Sequence, residues 1–169
     1  VGLPVIGLIK SKFKDGYVKI TGRMSDVEKL VEIGCDLIAV DGTFRKREGL
    51  EGPDFINKIK HNFDCGIMAD ISTHEEGKFC FDAGADCIST TLHGYTPETE
   101  KEKTEKPNFE LVKRYKNYLP CPVFAEGRIS TPNDAKKMLR LGAWGVIVGT
   151  AITRPEVITD WFVKEMKRK

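Results

Sequence analysis

At 169 residues the chain has room for one compact core and not for two ordinary domains, so a single domain over 1–169 is expected. Charged residues make up 31% and hydrophobic residues 40%, the balance of a soluble globular protein rather than of a disordered or membrane-embedded one. The net charge is +2, and Lys and Arg are spread along the chain apart from the short Lys164–Lys169 tail, so nucleic acid is a poor partner for it. No apolar run approaches the roughly 20 residues needed to cross a bilayer. The five cysteines, Cys35, Cys65, Cys80, Cys87 and Cys121, are odd in number, widely spaced and set among apolar residues. That is the pattern of small buried thiols in a reducing compartment, and it points to the cytoplasm. No CxxC pair or His-rich tract supplies zinc spacing, so no metal is expected.

Six short apolar runs follow one another along the chain: Pro4–Ile9, Asp36–Asp41, Gly66–Ile71, Cys87–Leu92, Pro122–Glu126 and Gly145–Val148. Amphipathic stretches separate them, which is the signature of βα units and a parallel sheet. Ser25-Asp-Val-Glu28 and Thr73-His-Glu-Glu76 match the capping box at a helix start, and Thr131-Pro132 places a cap before proline at the first helical position. Gly34, Gly84 and Gly142 are the expected helix stops, reading Ile-Gly-Cys-Asp, Ala-Gly-Ala-Asp and Leu-Gly-Ala-Trp. Each leads straight into a strand, so a unit is repeated, and repetition favours a barrel over an open sheet. The polar, charged loop Thr96–Pro107 is long enough to cover or border a site.

In a parallel βα protein the loops that carry function converge at the carboxyl ends of the strands. Polar groups stand there abruptly after apolar runs. Lys10 is either an ammonium reaching solvent along its stem or a functional amine, and Glu126 follows Val-Phe-Ala in the same way. A lysine and a carboxylate near one another could abstract and return a proton. Asp41 and Asp70 occupy equivalent strand positions, although Asp41-Gly42 is also a turn pair. Gly127-Arg128 and Gly149-Thr150 fit the two loops in which many barrels hold a phosphate on backbone N–H groups. Arg154 would then add a charge-assisted contact as the last helix opens. His93 has no second histidine at a neighbouring strand end, and His61 and His74 fall on helices with solvated rings expected. Trp161 and Phe162 lie on the final amphipathic helix, where packing onto the sheet is the ordinary role.

Taken together, Pro4–Lys10, Ala39–Thr43, Met68–Thr73, Thr90–Thr96, Phe124–Arg128 and Val148–Pro155 resemble the N-acylglucosamine-6-phosphate 2-epimerase family, in order and over the whole chain. The resemblance implies a (β/α)₈ TIM barrel of which six βα units, strands three to eight, are present, the chain being N-terminally incomplete. It also implies an isomerase of sialic acid and amino sugar catabolism that interconverts N-acetylmannosamine 6-phosphate and N-acetylglucosamine 6-phosphate in the cytoplasm. The partner is a small-molecule sugar phosphate, with neither metal nor organic cofactor, and with no nucleic acid or membrane; a homo-oligomer is left open. By the same resemblance Lys10 carries the proton at C2 and Glu126 is a candidate second acid/base. Asp70 and Arg154 belong to the substrate-binding set, and Gly127, Arg128, Gly149 and Thr150 surround the phosphate. A metal-dependent sugar-phosphate 3-epimerase and a non-catalytic sugar-phosphate-binding remnant are the competing readings. An open six-stranded arc is the expected architecture, with the Pro4–Ile9 and Gly145–Val148 strands at its edges.

Overall fold

The computed structural model describes residues 2–168. Six parallel strands form one sheet: β1 (Ile6–Gly7), β4 (Leu37–Asp41), β5 (Gly66–Asp70), β6 (Cys87–Ser89), β7 (Val123–Glu126) and β8 (Gly145–Ile147), in that spatial order. Each pairs with the next in that order, and the runs between them carry crossover helices. These are α1 (Met24–Glu32), α2 (Gly52–Asn62), α3 (His74–Asp82), α4 (Phe109–Tyr118) and α5 (Pro132–Arg140), followed by α6 (Thr150–Thr153) and α7 (Pro155–Lys167). Among the described residues β1 and β8 do not pair with each other, so both are sheet edges, as expected. The strands are shorter than their apolar runs; that of Pro4–Ile9 contracts to two residues.

Alternation along the strands divides the sheet into two faces. Ile38, Val40, Ile67, Ala69, Ile71, Ile88 and Val123 join the core under the helices, with Phe55, Ile56 and Ile59 of α2 and Tyr115 of α4. Ala39, Met68 and Cys87 belong to a separate cluster on the other face, with Leu37, Phe124 and Ile147 packed against it. Followed to their carboxyl ends, these second rows read Leu37-Ala39-Asp41, Gly66-Met68-Asp70, Cys87-Ser89 and Phe124-Glu126. The apolar side chains of one face thus give way to a polar layer at a single level.

A small antiparallel hairpin, β2 (Lys10–Lys12) with β3 (Val18–Ile20), rises from the end of β1 and was not expected. Its turn is held by Asp15, whose carboxylate accepts from Tyr17 N and pairs with the buried Lys19, while Gly16 takes φ 85°. Lys10 therefore opens a hairpin strand instead of closing a sheet strand.

Thr73 caps α3 as expected, with Thr73 Oγ1 accepting from Glu76 N and Glu76 reaching back to Thr73 N. Thr131 caps α5, accepting from Asp134 N. Gly34, Gly84 and Gly142 follow their helices with φ 78°, 105° and 100°. Ser25 is a correction: α1 starts at Met24, two residues earlier than a cap at Ser25 requires, with Arg23 at the N-cap and no side-chain cap there. A free N–H at that end, on Met24, donates instead to Glu48 from the β4–α2 loop, 3.1 Å away, a partner remote in sequence. Trp161 and Phe162 are corrections too, being 39% and 67% exposed on α7.

Glu76 does more than cap. Its buried carboxylate accepts from Ser72 N, Ser72 Oγ, Thr73 N and Phe44 N, tying the β5–α3 turn to the preceding loop. Glu76→Ala should therefore cost about 3 kcal/mol, because buried donors lose their acceptor, whereas Thr73→Ala should cost about 1 kcal/mol, the loss of one cap. Urea unfolding midpoints of the two variants check the order.

Candidate active site

The polar layer at the carboxyl ends is built by register. Asp41 pairs with Asp70 along β4 and β5, Asp70 with Ser89 along β5 and β6, and Ser89 with Phe124 of β7, so the side chains fall side by side on one face. The two aspartates nevertheless have different environments.

Asp41 is fully buried and saturated: its carboxylate accepts from Arg45 Nη2 at 2.8 Å, Arg47 Nη2 at 2.9 Å, and Thr43 N and Oγ1. Arg47 is itself buried, which lowers its pKa, while the Asp41 charge opposes that effect. The pair holds the β4–α2 loop, where Arg47 and Leu50 exchange backbone hydrogen bonds across a turn of positive φ at Glu48 and Gly49. Both oxygens of Asp41 are engaged by the protein itself.

Among the described residues the Asp70 carboxyl makes one hydrogen bond, with Thr91 Oγ1 at 2.7 Å. Thr91 Oγ1 also lies 2.9 Å from Glu126 Oε2 and 2.6 Å from Ser89 Oγ, and Ser89 Oγ is 3.3 Å from Glu126 Oε2. The adjacent Thr90 fixes the Glu126 backbone in both senses: its hydroxyl accepts from Glu126 N at 3.0 Å and donates to Glu126 O at 2.9 Å. Burial pushes the Asp70 carboxyl well above the usual carboxylate range, and the neighbouring Glu126 charge adds to the shift. The Thr91 hydrogen bond opposes it, as does the Lys10 charge.

Lys10 stands exposed at the foot of the hairpin. Its backbone is fixed on both sides. Lys10 pairs with Ile20, while Thr21 N donates to Ile9 O at 2.7 Å and Thr21 Oγ1 accepts from Ile9 N at 3.2 Å. Thr21 is buried at φ 43°, a conformation that costs a β-branched residue and that the surrounding contacts must hold in place.

The structure thus joins Asp70 and Glu126 through Thr91, and the Lys10 charge acts on Asp70 from the hairpin. Glu126 of β7 pairs with Ile147 of β8, so the loops bearing Gly127-Arg128 and Gly149-Thr150 are neighbours. Arg128 leans toward the β6 loop, with Nη2 3.3 Å from His93 O and its guanidinium 4.9 Å from the Tyr95 ring centroid. Arg154 lies apart and exposed at the start of α7, paired with Glu156 at 2.9 Å.

His93 is buried, its Nδ1 3.0 Å from Ser72 O. His74 is a correction to the solvated ring expected: it is half-buried, 2.7 Å from Arg114 Nη2 and tilted against Tyr118. Among the described residues no three His, Cys, Asp or Glu side chains are grouped to hold a metal ion. Cys80 and Cys87 are buried as expected, whereas Cys35, Cys65 and Cys121 are half-buried; all five are free thiols. The Thr96–Pro107 loop carries a 3₁₀ turn at Glu100–Glu102 and is latched by Thr99 Oγ1, which accepts from Gly94 N. With Tyr17 of the hairpin it borders an open hollow of about 430 Å³ that the two carboxylates do not line.

A family model described as "Putative N-acetylmannosamine-6-phosphate epimerase" matches residues 1–168. The chain belongs to that epimerase family. A relative from Clostridioides difficile, named in the same terms as a 2-epimerase, is 44% identical over 167 residues, covering 98% of this chain and 74% of that protein. One from Caldanaerobacter subterraneus, likewise named, is 44% identical over 171 residues, covering 100% of this chain and 71% of that protein. The solved structure of the N-acetylmannosamine-6-phosphate 2-epimerase from Clostridium perfringens superposes with a TM-score of 0.88 at 43% identity, over 96% of this chain and 70% of that one. The six βα units are thus those of the epimerase (β/α)₈ barrel. No helix among the described residues is long and apolar enough to cross a membrane.

The Thr90–Thr91 pair was not singled out from sequence, although it stands inside the Cys87–Leu92 run, just past the end of β6, and opens the Thr90–Thr96 phrase. The available signal was alternation, because Thr91 continues the row Cys87-Ser89 that ends in hydroxyls.

The Asp70 shift has a consequence for stability. Its folded pKa lies above its unfolded value, so the proton it holds stabilises the fold fully below the ordinary carboxylate range of about 3.9. That contribution is lost as pH rises through the folded value. Asp70→Asn, which cannot ionise, should gain in melting temperature relative to the parent as pH is raised from 4 to 8 and should show its smallest gain in acid. Thermal unfolding of both proteins across that range checks it.

Proposed function

We propose that the protein interconverts N-acetylmannosamine 6-phosphate and N-acetylglucosamine 6-phosphate, by removing and returning the proton at C2 of the open-chain sugar. The observation that carries this reading is the convergence, in a chain of this family, of Lys10, Asp70 and Glu126 at one end of the sheet. Opening the ring places an aldehyde at C1, which makes the C2 hydrogen acidic because the charge can spread onto oxygen as an enolate. Lys10, exposed beside the carboxylates, takes that proton, and Glu126 serves the opposite face of C2 as the second acid/base. Asp70 holds the substrate near Lys10. No electron leaves the sugar, so the reaction needs no redox group.

The phosphate lies over the β7 and β8 loops. A Cβ built on Gly127 or on Gly149 would meet nothing within 4 Å, so the backbone at both is open to an incoming anion. Gly127-Arg128 and Gly149-Thr150 then supply N–H groups, and Arg154 exchanges its exposed Glu156 partner for the phosphate. The free thiols accord with a cytoplasmic setting.

Lys10→Met should abolish epimerisation while leaving the fold and phosphate affinity in place, and turnover in heavy water should put deuterium at C2 of the product. Wild-type turnover by the variant, or product without deuterium, would overturn the assignment. The Cβ of Gly149→Val meets no protein atom within 4 Å, so a raised KM without loss of stability reports blocked phosphate approach, and Arg154→Ala should raise KM as well. A chelator should leave the rate unchanged.

A further inference from the structure

We infer that Asp70, Thr91 and Glu126 form a relay sharing a single proton, in which Thr91 positions the two carboxyl groups and passes that proton between them. The inference rests on the functional reading above for its consequence, and on proton counting for its existence.

Thr91 Oγ1 makes three oxygen–oxygen contacts, to Ser89 Oγ at 2.6 Å, Asp70 Oδ1 at 2.7 Å and Glu126 Oε2 at 2.9 Å. Each is within hydrogen-bond distance, and each needs one hydrogen between its oxygens. The Ser89 and Thr91 hydroxyls carry one hydrogen apiece, and an ionised carboxylate carries none. Two hydrogens cannot serve three contacts. The third comes from a carboxyl group, and the buried Asp70, with a second carboxylate nearby, is the one that holds it. Three hydrogens then serve the three short contacts: Ser89 and Asp70 donate to Thr91, and Thr91 donates to Glu126, while the longer Ser89–Glu126 separation of 3.3 Å carries none. A hydroxyl has one donor and two acceptor positions, and all three are filled.

The same chain runs in the other direction. The Asp70 O–H bond breaks and its proton bonds to Thr91 Oγ1, while the Thr91 proton bonds to Glu126 Oε2. Asp70 is left ionised, Glu126 protonated and Thr91 neutral, with the total charge of the pair unchanged at one negative. By this route Glu126 receives from Asp70 the proton that it then gives to the substrate, without admitting water beside the sheet. Thr90, by fixing the Glu126 backbone at both N–H and C=O, keeps the acceptor oxygen in line.

The test is Thr91→Val, which keeps the side-chain shape and removes the hydroxyl, beside Thr91→Ser, which restores it. Thr91→Val should lower kcat about tenfold or more, within the range of acid–base contributions. It should leave KM nearly unchanged and displace the pH profile of kcat, and Thr91→Ser should recover both. In infrared spectra at neutral pH the wild-type protein should show the carbonyl band of a protonated carboxyl group that Asp70→Asn removes, a readout that needs neither turnover nor the valine variant to fold. Wild-type kcat and pH profile in Thr91→Val, or no such band in the wild type, overturns the relay. Glu126→Gln separates the two readings. If it turns over normally the functional assignment fails, and the infrared band still decides whether the proton is shared.

Discussion

Neighbouring carboxylates at the carboxyl end of a sheet repel each other where water can do little to screen them, and the site depends on how that repulsion is relieved. Parallel pairing puts Asp41, Asp70 and the β6 hydroxyls on one level, and strand alternation brings Glu126 of β7 into the same layer. Asp41 is relieved by cations, since two guanidinium groups engage it and its charge is spent on loop structure. Among the described residues no cation pairs with Asp70 in contact. It is relieved through a proton and a hydroxyl, which leaves a group that can exchange hydrogen where Asp41 has one that cannot. Two residues in direct register thus acquire opposite characters from what the following loops deliver to them.

That difference explains what was legible in the sequence. The six strands, the helix stops and the α3 and α5 caps are local signals, written in apolar runs, glycines and hydroxyl-bearing caps within a few residues of each other. They stand in the structure close to where they were read. The equivalence of Asp41 and Asp70 was legible for the same reason, being a matter of position along a strand. Their divergence was not, because Arg45 and Arg47 meet Asp41 only through a loop whose turn at Glu48 and Gly49 no local pattern announces. The α1 terminus failed likewise. Ser25 offered a local cap, but Glu48 reaches Met24 N from another loop, and the helix begins where that acceptor stands.

Thr91 was missed for a further reason. A hydroxyl after a strand is a common surface residue, and its chemistry here comes from two partners, one 21 and the other 35 residues away. Periodicity placed it on the right face, since it extends the alternation of Cys87 and Ser89, but periodicity alone does not say what stands on the neighbouring strands. Register says it. Once Asp70 is opposite Ser89, the next residue on that face reaches both carboxyl groups.

Lys10 shows how the fold supplies the complementary feature, an exposed amine beside a buried proton store. Had the first strand run on to Lys10 as its apolar pattern suggested, the ammonium would have ended a sheet strand in line with the carboxylates. The chain instead leaves the sheet after Gly7 and turns through the hairpin, returning so that Ile20 packs with Ala39 and Met68 on the inner face. The Ile9–Thr21 clasp closes that excursion at its base, and the positive φ at buried Thr21 is the local cost of closing it so tightly. Lys10 is consequently fixed by its backbone while its side chain stays free in solvent. Asp70 is held by its side chain and buried. A base free to reach the substrate and an acid store held out of water are separate requirements, and the hairpin is the device that lets one end of the sheet meet both.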